Sequence, residues 1–252
     1  MNIKKHKATV VDCRAIAQKI KNETKSMMVE GRTYGLNIFA PNTPDNEAYI
    51  KGIKHDAIEL GIDVCLRSCE NWEPYIHDDP YIVMFPQHID EDYDAEYDVD
   101  GRNSGSWFVP RTAKAVEEIF DRLAGEVYHA GNTIVVVGRG QTGNAIFNHL
   151  RSCTNATLIQ CNSFSDVKKF SKKADVIISA AGANTLDKKM VKKGAIVIDV
   201  GTRVVNGKVV GDVDENVREV ASYVTPVPNG IGLVTRACLM RAVVEAVNMA
   251  AE

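Results

Sequence analysis

A glycine-rich turn in the second half of the chain has the residue types and spacing needed to bind a phosphate group. The apolar stretch Thr133 to Val137 (TIVVV) predicts a strand buried on both faces, and it leads directly into the pattern G-x-G-x-x-G at Gly138 to Gly143. Apolar residues then recur at helical spacing between Asn144 and Arg151. The glycines therefore lie on a strand-to-helix turn, which is the context that a dinucleotide-binding turn requires.

Each glycine of this turn has its own physical role. Gly138 permits the tight turn, Gly140 lets the backbone approach a pyrophosphate, and Gly143 lets the helix pack against the strand. The free N–H groups at the helix start then face the anion. An ordinary glycine-rich turn is the alternative, but the flanking strand and helix favour a dinucleotide. The residues expected to contact the cofactor here are Gly138, Arg139, Gly140, Gln141, Thr142 and Gly143.

The composition is that of an ordinary globular chain, and it argues against several classes of protein. The length of 252 residues suits one large or two modest domains, and the net charge of −3 argues against a nucleic-acid partner, which needs a basic excess on one face. The six cysteines lack a paired framework and zinc-site spacing, so we expect reduced thiols, no metal and a cytoplasmic location. We expect no membrane segment, because no apolar run approaches the roughly 18 residues of a span.

Helices and strands alternate before the glycine turn. Thr43 is predicted to cap a helix that has Pro44 at its first position, and Gly61 is predicted to end it. The acidic segment Asp90 to Asp100 lacks apolar periodicity and is predicted to be a loop. The predicted elements are a helix over Cys13 to Glu30, a strand over Tyr34 to Ala40, a helix from Pro44 to Leu60, and strands over Ile62 to Leu66 and Tyr81 to Phe85.

After the glycine turn the alternation continues, which predicts a parallel sheet with ligands at the carboxyl ends of its strands. Gly182, Gly201 and Thr202 follow such strand ends; they are either cofactor contacts or ordinary turn residues. Before the turn, a helix over Thr112 to Leu123 is predicted to connect two domains. The later elements are strands over Ala156 to Cys161, Asp175 to Ser179 and Ala195 to Val200, helices near Asp166 to Ser171 and Asp187 to Val191, a hairpin over Val204 to Val210, and a final helix over Thr235 to Ala250.

Four sequence segments together span nearly the whole chain in a recognisable order. The two longest are Ile198 to Asp214 (IDVGTRVVNGKVVGDVD) and Thr225 to Thr235 (TPVPNGIGLVT). Ala174 to Gly182 (ADVIISAAG) and Thr9 to Lys21 (TVVDCRAIAQKIK) also fit. This set is similar to the methylenetetrahydrofolate dehydrogenase/cyclohydrolase family.

The resemblance implies an α/β protein of two domains with folate in the cleft between them. An N-terminal α/β catalytic domain would cover residues 1–112, and a Rossmann-type parallel sheet that binds the dinucleotide would cover residues 113–232. The last helix, in residues 233–252, would pack back on the N-terminal domain. A homodimer is also implied by the resemblance.

The family's Tyr-x-x-x-Lys motif is altered in this chain. Its counterpart begins at Tyr49, and the position four residues later, on the same helix face, is Ile53. Lys51 and Lys54 flank this position but point elsewhere on the helix. A strand-end glutamine of the family is also absent between Tyr81 and Pro86, although Gln87 follows. The catalytic lysine is therefore predicted to be missing.

Other segments match the family's substrate and cofactor features in part. The glycine turn is one residue shorter than the family's and has Gly140 where the family usually has serine, and Asn229 and Leu233 replace a usual glycine and a usual proline. Asp98 to Gly101 (DVDG) matches the family's Asp-Val-Asp-Gly, in which the second acid, Asp100, resembles a pterin-binding carboxylate. Without the resemblance, this run would be interpreted as a turn. Asp199 is expected to be structural rather than catalytic. The resemblance further implies substrate contacts at Pro228, Asn229, Gly230, Ile231 and Gly232, and cofactor contacts at Gly182, Gly201, Thr202 and Thr235.

The choice between NAD and NADP stays open at the level of sequence. The family's His-Ser-Arg or His-Ser-Lys appears here as Asn162, Ser163 and Phe164, so the second basic residue is missing. Cys161 and Asn162 also lack the acid that would bind the ribose 2′-OH of NAD. Arg139 could meet a 2′-phosphate. The missing acid favours NADP over NAD, whereas the missing second basic residue disfavours NADP.

The resemblance and the missing lysine together predict a dehydrogenase for 5,10-methylenetetrahydrofolate with weak or absent cyclohydrolase activity. Hydride transfer mainly requires alignment of the donor carbon with the nicotinamide. Hydrolysis of the methenyl group requires a positioned acid or base, which Ile53 cannot supply. A non-catalytic folate- or nucleotide-binding paralogue and a dehydrogenase for another small substrate are the alternatives.

Overall fold

The computed structural model describes residues 7–41, 43–67, 79–83, 97–102, 105–123, 131–183 and 185–251. Phe85, Gln87, Cys69 and residues 90–96 of the predicted acidic loop lie outside the described residues. The elements in chain order are β1 (Thr9–Val10), α1 (Cys13–Met27), β2 (Gly35–Phe39), α2 (Pro44–Leu60), β3 (Asp63–Arg67), β4 (Tyr81–Val83), α3 (Arg111–Arg122), β5 (Thr133–Val137), α4 (Gln141–Cys153), β6 (Thr157–Cys161), α5 (Val167–Ser171), β7 (Val176–Ser179), β8 (Ile196–Asp199), β9 (Arg203–Val205), β10 (Lys208–Val210), a 3₁₀ helix (Glu215–Glu219), β11 (Tyr223–Val224) and α6 (Ile231–Met249).

The chain divides into two compact units. One, called the six-strand unit, comprises Met1–Ile16 and Thr112–Val234, and the other, called the three-strand unit, comprises Ala17–Arg111 and Thr235–Glu252. Both units contain a parallel sheet with helices, so the predicted α/β class is confirmed. Within the described residues, no helix is long and apolar enough to cross a membrane.

The six-strand unit is built on a parallel sheet with the strand order β1-β11-β8-β7-β5-β6. The order reverses at β5, because β6 pairs with one edge of β5 and β7 with the other. Every residue of β7 and β8 is buried, as is every residue of β5 after Thr133. This explains their continuous apolar sequences, since a central parallel strand is covered on both faces.

The three-strand unit has a parallel sheet in the order β3-β2-β4. Its core combines strand residues such as Leu36 and Ile38 with Ile53 and Ala57 of α2 and with the apolar face of α6. Thr43 caps α2 by accepting a hydrogen bond from Asn46 N, and Gly61 ends it in a left-handed conformation at φ 73°. The predicted caps of this helix are thus confirmed.

Some predicted elements differ from the structure. No helix forms over Asp187 to Val191: Lys188 N donates to Asn216 Oδ1 and Lys189 N to Asp187 Oδ1, so side chains hold the segment in turns. Helix α1 ends at Met27, three residues before Glu30. Helix α6 begins at Ile231 rather than Thr235, because Leu233 N already donates to Gly230 O and Gly232 is accommodated in the first turn. The short strands β1 and β11 were not expected from the sequence.

The predicted hairpin is confirmed. Strands β9 and β10 pair antiparallel, and Asn206 and Gly207 between them have φ values of 51° and 74°. Two successive positive φ angles are what a type I′ turn requires, and Asn-Gly tolerates them at low cost. The hairpin is followed directly by Gly211 and Asp212.

Candidate cofactor and substrate sites

The glycine turn follows β5 at the carboxyl edge of the six-strand sheet. Gly138 has φ 122°, and a Cβ added there would fall closer than 3.0 Å to the carbonyl oxygen of Ala180. A Cβ on Gly143 would come equally close to the carbonyl oxygen of Gly138. The chain's own backbone therefore requires glycine at these two positions, one for the turn and one for helix packing.

Gly140 differs from its two neighbours in the pattern. A Cβ there would meet nothing within 4 Å, and the residue is exposed with φ −70°, a conformation open to any residue. It is the N-cap of α4 and has no side chain to bond the helix's first N–H groups. Gln141 and Thr142 are exposed as well. The backbone N–H groups and the positive end of the helix dipole at such a helix start favour an anion.

Two buried carboxylates organise the neighbouring strand ends. Asp212 Oδ2 accepts hydrogen bonds from Ser179 Oγ (3.0 Å), Ala181 N (2.8 Å) and Gly182 N (3.2 Å). A Cβ on Gly201 would fall closer than 3.0 Å to the same carboxylate. Asp212 thus fixes the loop after β7, and its carboxylate leaves no room for a side chain at Gly201 after β8. Sequence reasoning missed this role, although Asp212 lies within the quoted segment Ile198 to Asp214.

Asp199, at the end of β8, is the second carboxylate. It accepts hydrogen bonds from Asp212 N (3.0 Å) and Val213 N (3.1 Å), and its own N–H donates to Thr225 Oγ1 (2.8 Å). The pKa of Asp199 is raised from its ordinary 3.8 to about 6, mainly by burial and also by the nearby charge of Asp212, against the lowering effects of the two N–H donors and of Arg203. Its contacts are to the chain itself, as expected for a structural residue.

The raised pKa of Asp199 predicts a pH effect on stability. The carboxyl of Asp199 binds a proton more tightly in the folded than in the unfolded protein. Ionisation of this group above pH 6 therefore lowers the free energy of unfolding, and the loss disappears as the pH falls toward 4. We expect the unfolding free energy of wild type, relative to Asp199→Asn, to rise by roughly 1 kcal/mol from about pH 7 to pH 5. Urea titrations of both proteins measure it, and a difference that stays constant or falls would contradict the assignment.

The carboxyl end of β6 is followed by Asn162 and Ser163, for which the resemblance implies contacts with the cofactor. Asn162 Oδ1 accepts hydrogen bonds from Phe164 N and Ser165 Oγ, both at 3.0 Å, and so stabilises a tight turn. Ser163 is exposed, and Phe164 is 95% exposed. Gln160 Nε2, which sequence reasoning did not select, donates to Gly138 O (3.0 Å) and ties β6 to the glycine turn.

In the three-strand unit, α2 carries Tyr49 and Ile53. Ile53 is 0% exposed and belongs to the apolar core, whereas Tyr49 is half-buried and packs against that core. Lys51 and Lys54 are exposed, as their helical positions predict. The position at which the resemblance expects a lysine is therefore occupied by a core side chain, and the flanking lysines project to solvent.

Asp100 lies close enough to Tyr49 for its negative charge to disfavour the phenolate form of the tyrosine. Burial raises the pKa of Tyr49 above its usual range, and Asp100 raises it further, against the lowering effect of Arg236 and Arg102. Burial also raises the pKa of Asp100, while Arg102, with Nε 3.5 Å from Asp100 Oδ2, and Arg111 lower it. The structure thus places a half-buried carboxylate and a half-buried phenol in one cluster. That the two residues contact the substrate stays a prediction.

Known proteins resemble this chain over nearly its whole length. Residues 110–251 match the family model for the tetrahydrofolate dehydrogenase/cyclohydrolase NAD(P)-binding domain. A bifunctional protein FolD of Pseudothermotoga lettingae is 34% identical, over 93% of this chain and 96% of the relative.

The chain belongs to the tetrahydrofolate dehydrogenase/cyclohydrolase family.

Two solved structures of this family share the fold. The bifunctional FolD enzyme of Campylobacter jejuni has a TM-score of 0.84 at 29% identity, and the match covers 96% of this chain and 99% of that one. The Trypanosoma brucei FolD enzyme, solved with NADP and an inhibitor, has a TM-score of 0.82 at 27% identity, with 98% and 99% covered. The predicted family, the two-domain α/β architecture and the NAD(P)-binding domain are confirmed.

The remaining family segment leads into α6. Pro228 and Asn229 are exposed, and Asn229 has φ 66°, which asparagine tolerates better than most residues. A Cβ on Gly230 would fall closer than 3.0 Å to the carbonyl oxygen of Pro226, so the tight path requires glycine. Ile231 is buried and Gly232 exposed at the helix start. Contacts of these residues with substrate stay a prediction, as do the cofactor contacts of Gly182, Gly201, Thr202 and Thr235.

Proposed function

We propose that the chain oxidises 5,10-methylenetetrahydrofolate to 5,10-methenyltetrahydrofolate with NAD or NADP, and that its cyclohydrolase activity is weak or absent. The observation that carries the proposal is a contrast within the chain. The glycine turn keeps the preceding strand, the G-x-G-x-x-G pattern and the helix start of a dinucleotide site, whereas position 53 of α2 is a fully buried isoleucine. Relatives named as bifunctional FolD proteins support the folate chemistry.

The residues of the glycine turn fit a dinucleotide. Gly140 and the open start of α4 would hold the pyrophosphate, and the loop held by Asp212 would support the cofactor from the neighbouring strand end. A bound nicotinamide supplies the hydride acceptor. The chain's own contribution to this step is to bind and orient both partners, since the substrate's nitrogen lone pairs stabilise the cation that forms.

Asp100 and Tyr49 are the residues proposed to contact folate. A carboxylate can accept paired hydrogen bonds from the amino and N–H groups of a pterin, and the half-buried carboxylate of Asp100 beside Arg102 supports this role. The raised pKa of Tyr49 keeps its hydroxyl protonated at neutral pH, so it can donate a hydrogen bond but cannot act as a base.

Hydrolysis of the methenyl product makes a different demand. It needs a group that transfers protons near neutral pH, and Ile53 has no titratable atom. Lys51 and Lys54 are exposed on other faces of α2. The proposal is tested by adding purified protein to 5,10-methenyltetrahydrofolate and following the loss of its absorbance. We expect little acceleration over the uncatalysed reaction. Rapid hydrolysis would contradict the second half of the proposal.

The choice of cofactor can be shifted at Phe164, which occupies the position of the family's second basic residue. We expect Phe164→Arg to strengthen NADP binding about tenfold, because a guanidinium can pair with the 2′-phosphate, while NAD binding changes little. The side chain is 95% exposed, so folding should be unaffected. Dissociation constants for both cofactors measure the effect, with Phe164→Gln as the uncharged control. Equal changes for NAD and NADP would contradict this placement.

A further inference from the structure

An arginine from α6 lies against the middle of α2 at Gly52. A Cβ added to Gly52 would come within 2.9 Å of Cζ and Nε of Arg236 and within 3.0 Å of its Nη1. Glycine inside a helix is unfavourable compared with alanine, so an interior glycine calls for a reason. Here the missing side chain makes room for the guanidinium.

The guanidinium is held in place by a buried ion-pair cluster. Arg236 Nε donates to Asp56 Oδ2 at 2.7 Å, and Lys21 Nζ donates to Asp56 Oδ1 at 3.3 Å. Lys21 also pairs with Glu59. The side chain of Asp56 is 7% exposed and that of Lys21 is 10% exposed. Asp56 and Glu59 are thereby already neutralised by basic side chains, and this cluster with nearby His55 does not need a metal ion.

The same helix face carries Tyr49. Tyr49, Gly52 and Asp56 stand at i, i+3 and i+7, so the guanidinium over Gly52 lies between the phenol and the carboxylate. Consistent with this, the positive charge of Arg236 counters the rise that burial and Asp100 produce in the pKa of Tyr49. Within the described ranges, Asp56 is the hydrogen-bond partner of Arg236, and its terminal nitrogens bond to no other residue there.

We propose that Arg236 is a substrate-binding residue that donates hydrogen bonds to an oxygen atom of the folate beside Tyr49. This inference rests on the proposed function and deepens it, because it supplies a cation on the helix turn where the family's lysine is missing. The terminal N–H groups match carbonyl and carboxylate oxygens. The side chain is 18% exposed, so it can be reached by a ligand.

Arg236 would replace the lysine's charge without replacing its proton chemistry. A guanidinium stays protonated at any pH at which the enzyme works, so it orients and polarises an oxygen but does not transfer a proton. Its pairing with Asp56 also offsets the repulsion that an unpaired cation would exert on the cationic methenyl product. Such a site binds folate and supports dehydrogenation, while leaving hydrolysis without an acid or base.

A matched pair of arginines on α6 tests the inference. Arg241 also has an 18% exposed side chain and a 2.7 Å ion pair, to Glu23. We expect Arg236→Gln to weaken tetrahydrofolate binding, measured by calorimetry, about tenfold and to raise the KM for methylenetetrahydrofolate similarly, because a charged hydrogen bond is lost. Arg241→Gln should leave both constants unchanged. Thermal unfolding of the two variants reports on their folding.

Gly52→Ala provides a second test that keeps every charge. Its Cβ displaces the flexible guanidinium, while alanine favours the helix. We expect weaker tetrahydrofolate binding, while the unfolding temperature reports the balance between the gain in helix propensity and the strain on the Arg236–Asp56 ion pair. Folate binding equal to wild type in Arg236→Gln would overturn this inference alone. Absence of tetrahydrofolate binding by wild type would overturn the inference and the proposed function together.

Discussion

Gly140→Ala is expected to remove dinucleotide binding while leaving the folded chain almost as stable as wild type. The added Cβ meets nothing within 4 Å and the backbone conformation is available to alanine, so the chain itself does not need glycine here. We expect a bound pyrophosphate to need it, because in the proposed site the backbone would approach the phosphate oxygens closely. We expect the dissociation constant to rise at least about a hundredfold. Calorimetric titration with NAD and NADP measures this change.

Gly138→Ala is the matched comparison for that experiment. Its φ of 122° and the close carbonyl oxygen of Ala180 make the substitution strained whatever the ligand, so we expect a loss of about 2 kcal/mol or more in unfolding free energy. The two variants therefore separate a glycine that the fold requires from one that the cofactor requires. Wild-type cofactor affinity in Gly140→Ala would contradict the assignment of this turn as the pyrophosphate site.

Ile53→Lys is expected to lower the stability of the protein and to accelerate hydrolysis of methenyltetrahydrofolate. The side chain is fully buried in the apolar core, so an ammonium group placed there loses its hydration, and we expect a loss of at least about 2 kcal/mol in unfolding free energy. The same burial lowers the pKa of the new amine toward neutrality, where it can transfer protons. We therefore expect methenyltetrahydrofolate hydrolysis to accelerate at least about tenfold.

The control for this variant is Ile53→Met, which keeps the volume and the apolar character and should change stability by less than about 1.5 kcal/mol. Hydrolysis rates and urea titrations of both variants give the comparison. If Ile53→Lys folds and binds folate but hydrolyses the methenyl compound no faster than Ile53→Met, the missing lysine is not the cause of weak hydrolysis.

Features determined by neighbouring residues could be predicted from the sequence. The strand Thr133–Val137, the caps Thr43 and Gly61 of α2, and the Asn206-Gly207 turn all follow from local backbone preferences, and the structure confirms them. The glycine turn belongs to this group as well, because strand, turn and helix are consecutive. The resemblance to the family then supplied the positions of Tyr49 and Asp100.

Features that depend on distant residues could not be predicted. Asp212 gains its role from Ser179 and the loop after it, more than thirty positions earlier in the chain. Arg236 meets Gly52 and Asp56 only once α6 packs in the same unit as α2. The two-residue strands β1 and β11 pair with each other across most of the chain length, and their own sequences are too short to carry a period.

The proposed dehydrogenase activity is tested by a turnover assay with 5,10-methylenetetrahydrofolate, run in parallel with NAD and NADP and followed by the absorbance of the reduced cofactor and of the methenyl product. We expect reduction of at least one cofactor, accompanied by a methenyl signal that persists. No reduction of either cofactor by a folded, dinucleotide-binding protein would contradict the proposed activity, and would favour a binding paralogue or a dehydrogenase for another substrate.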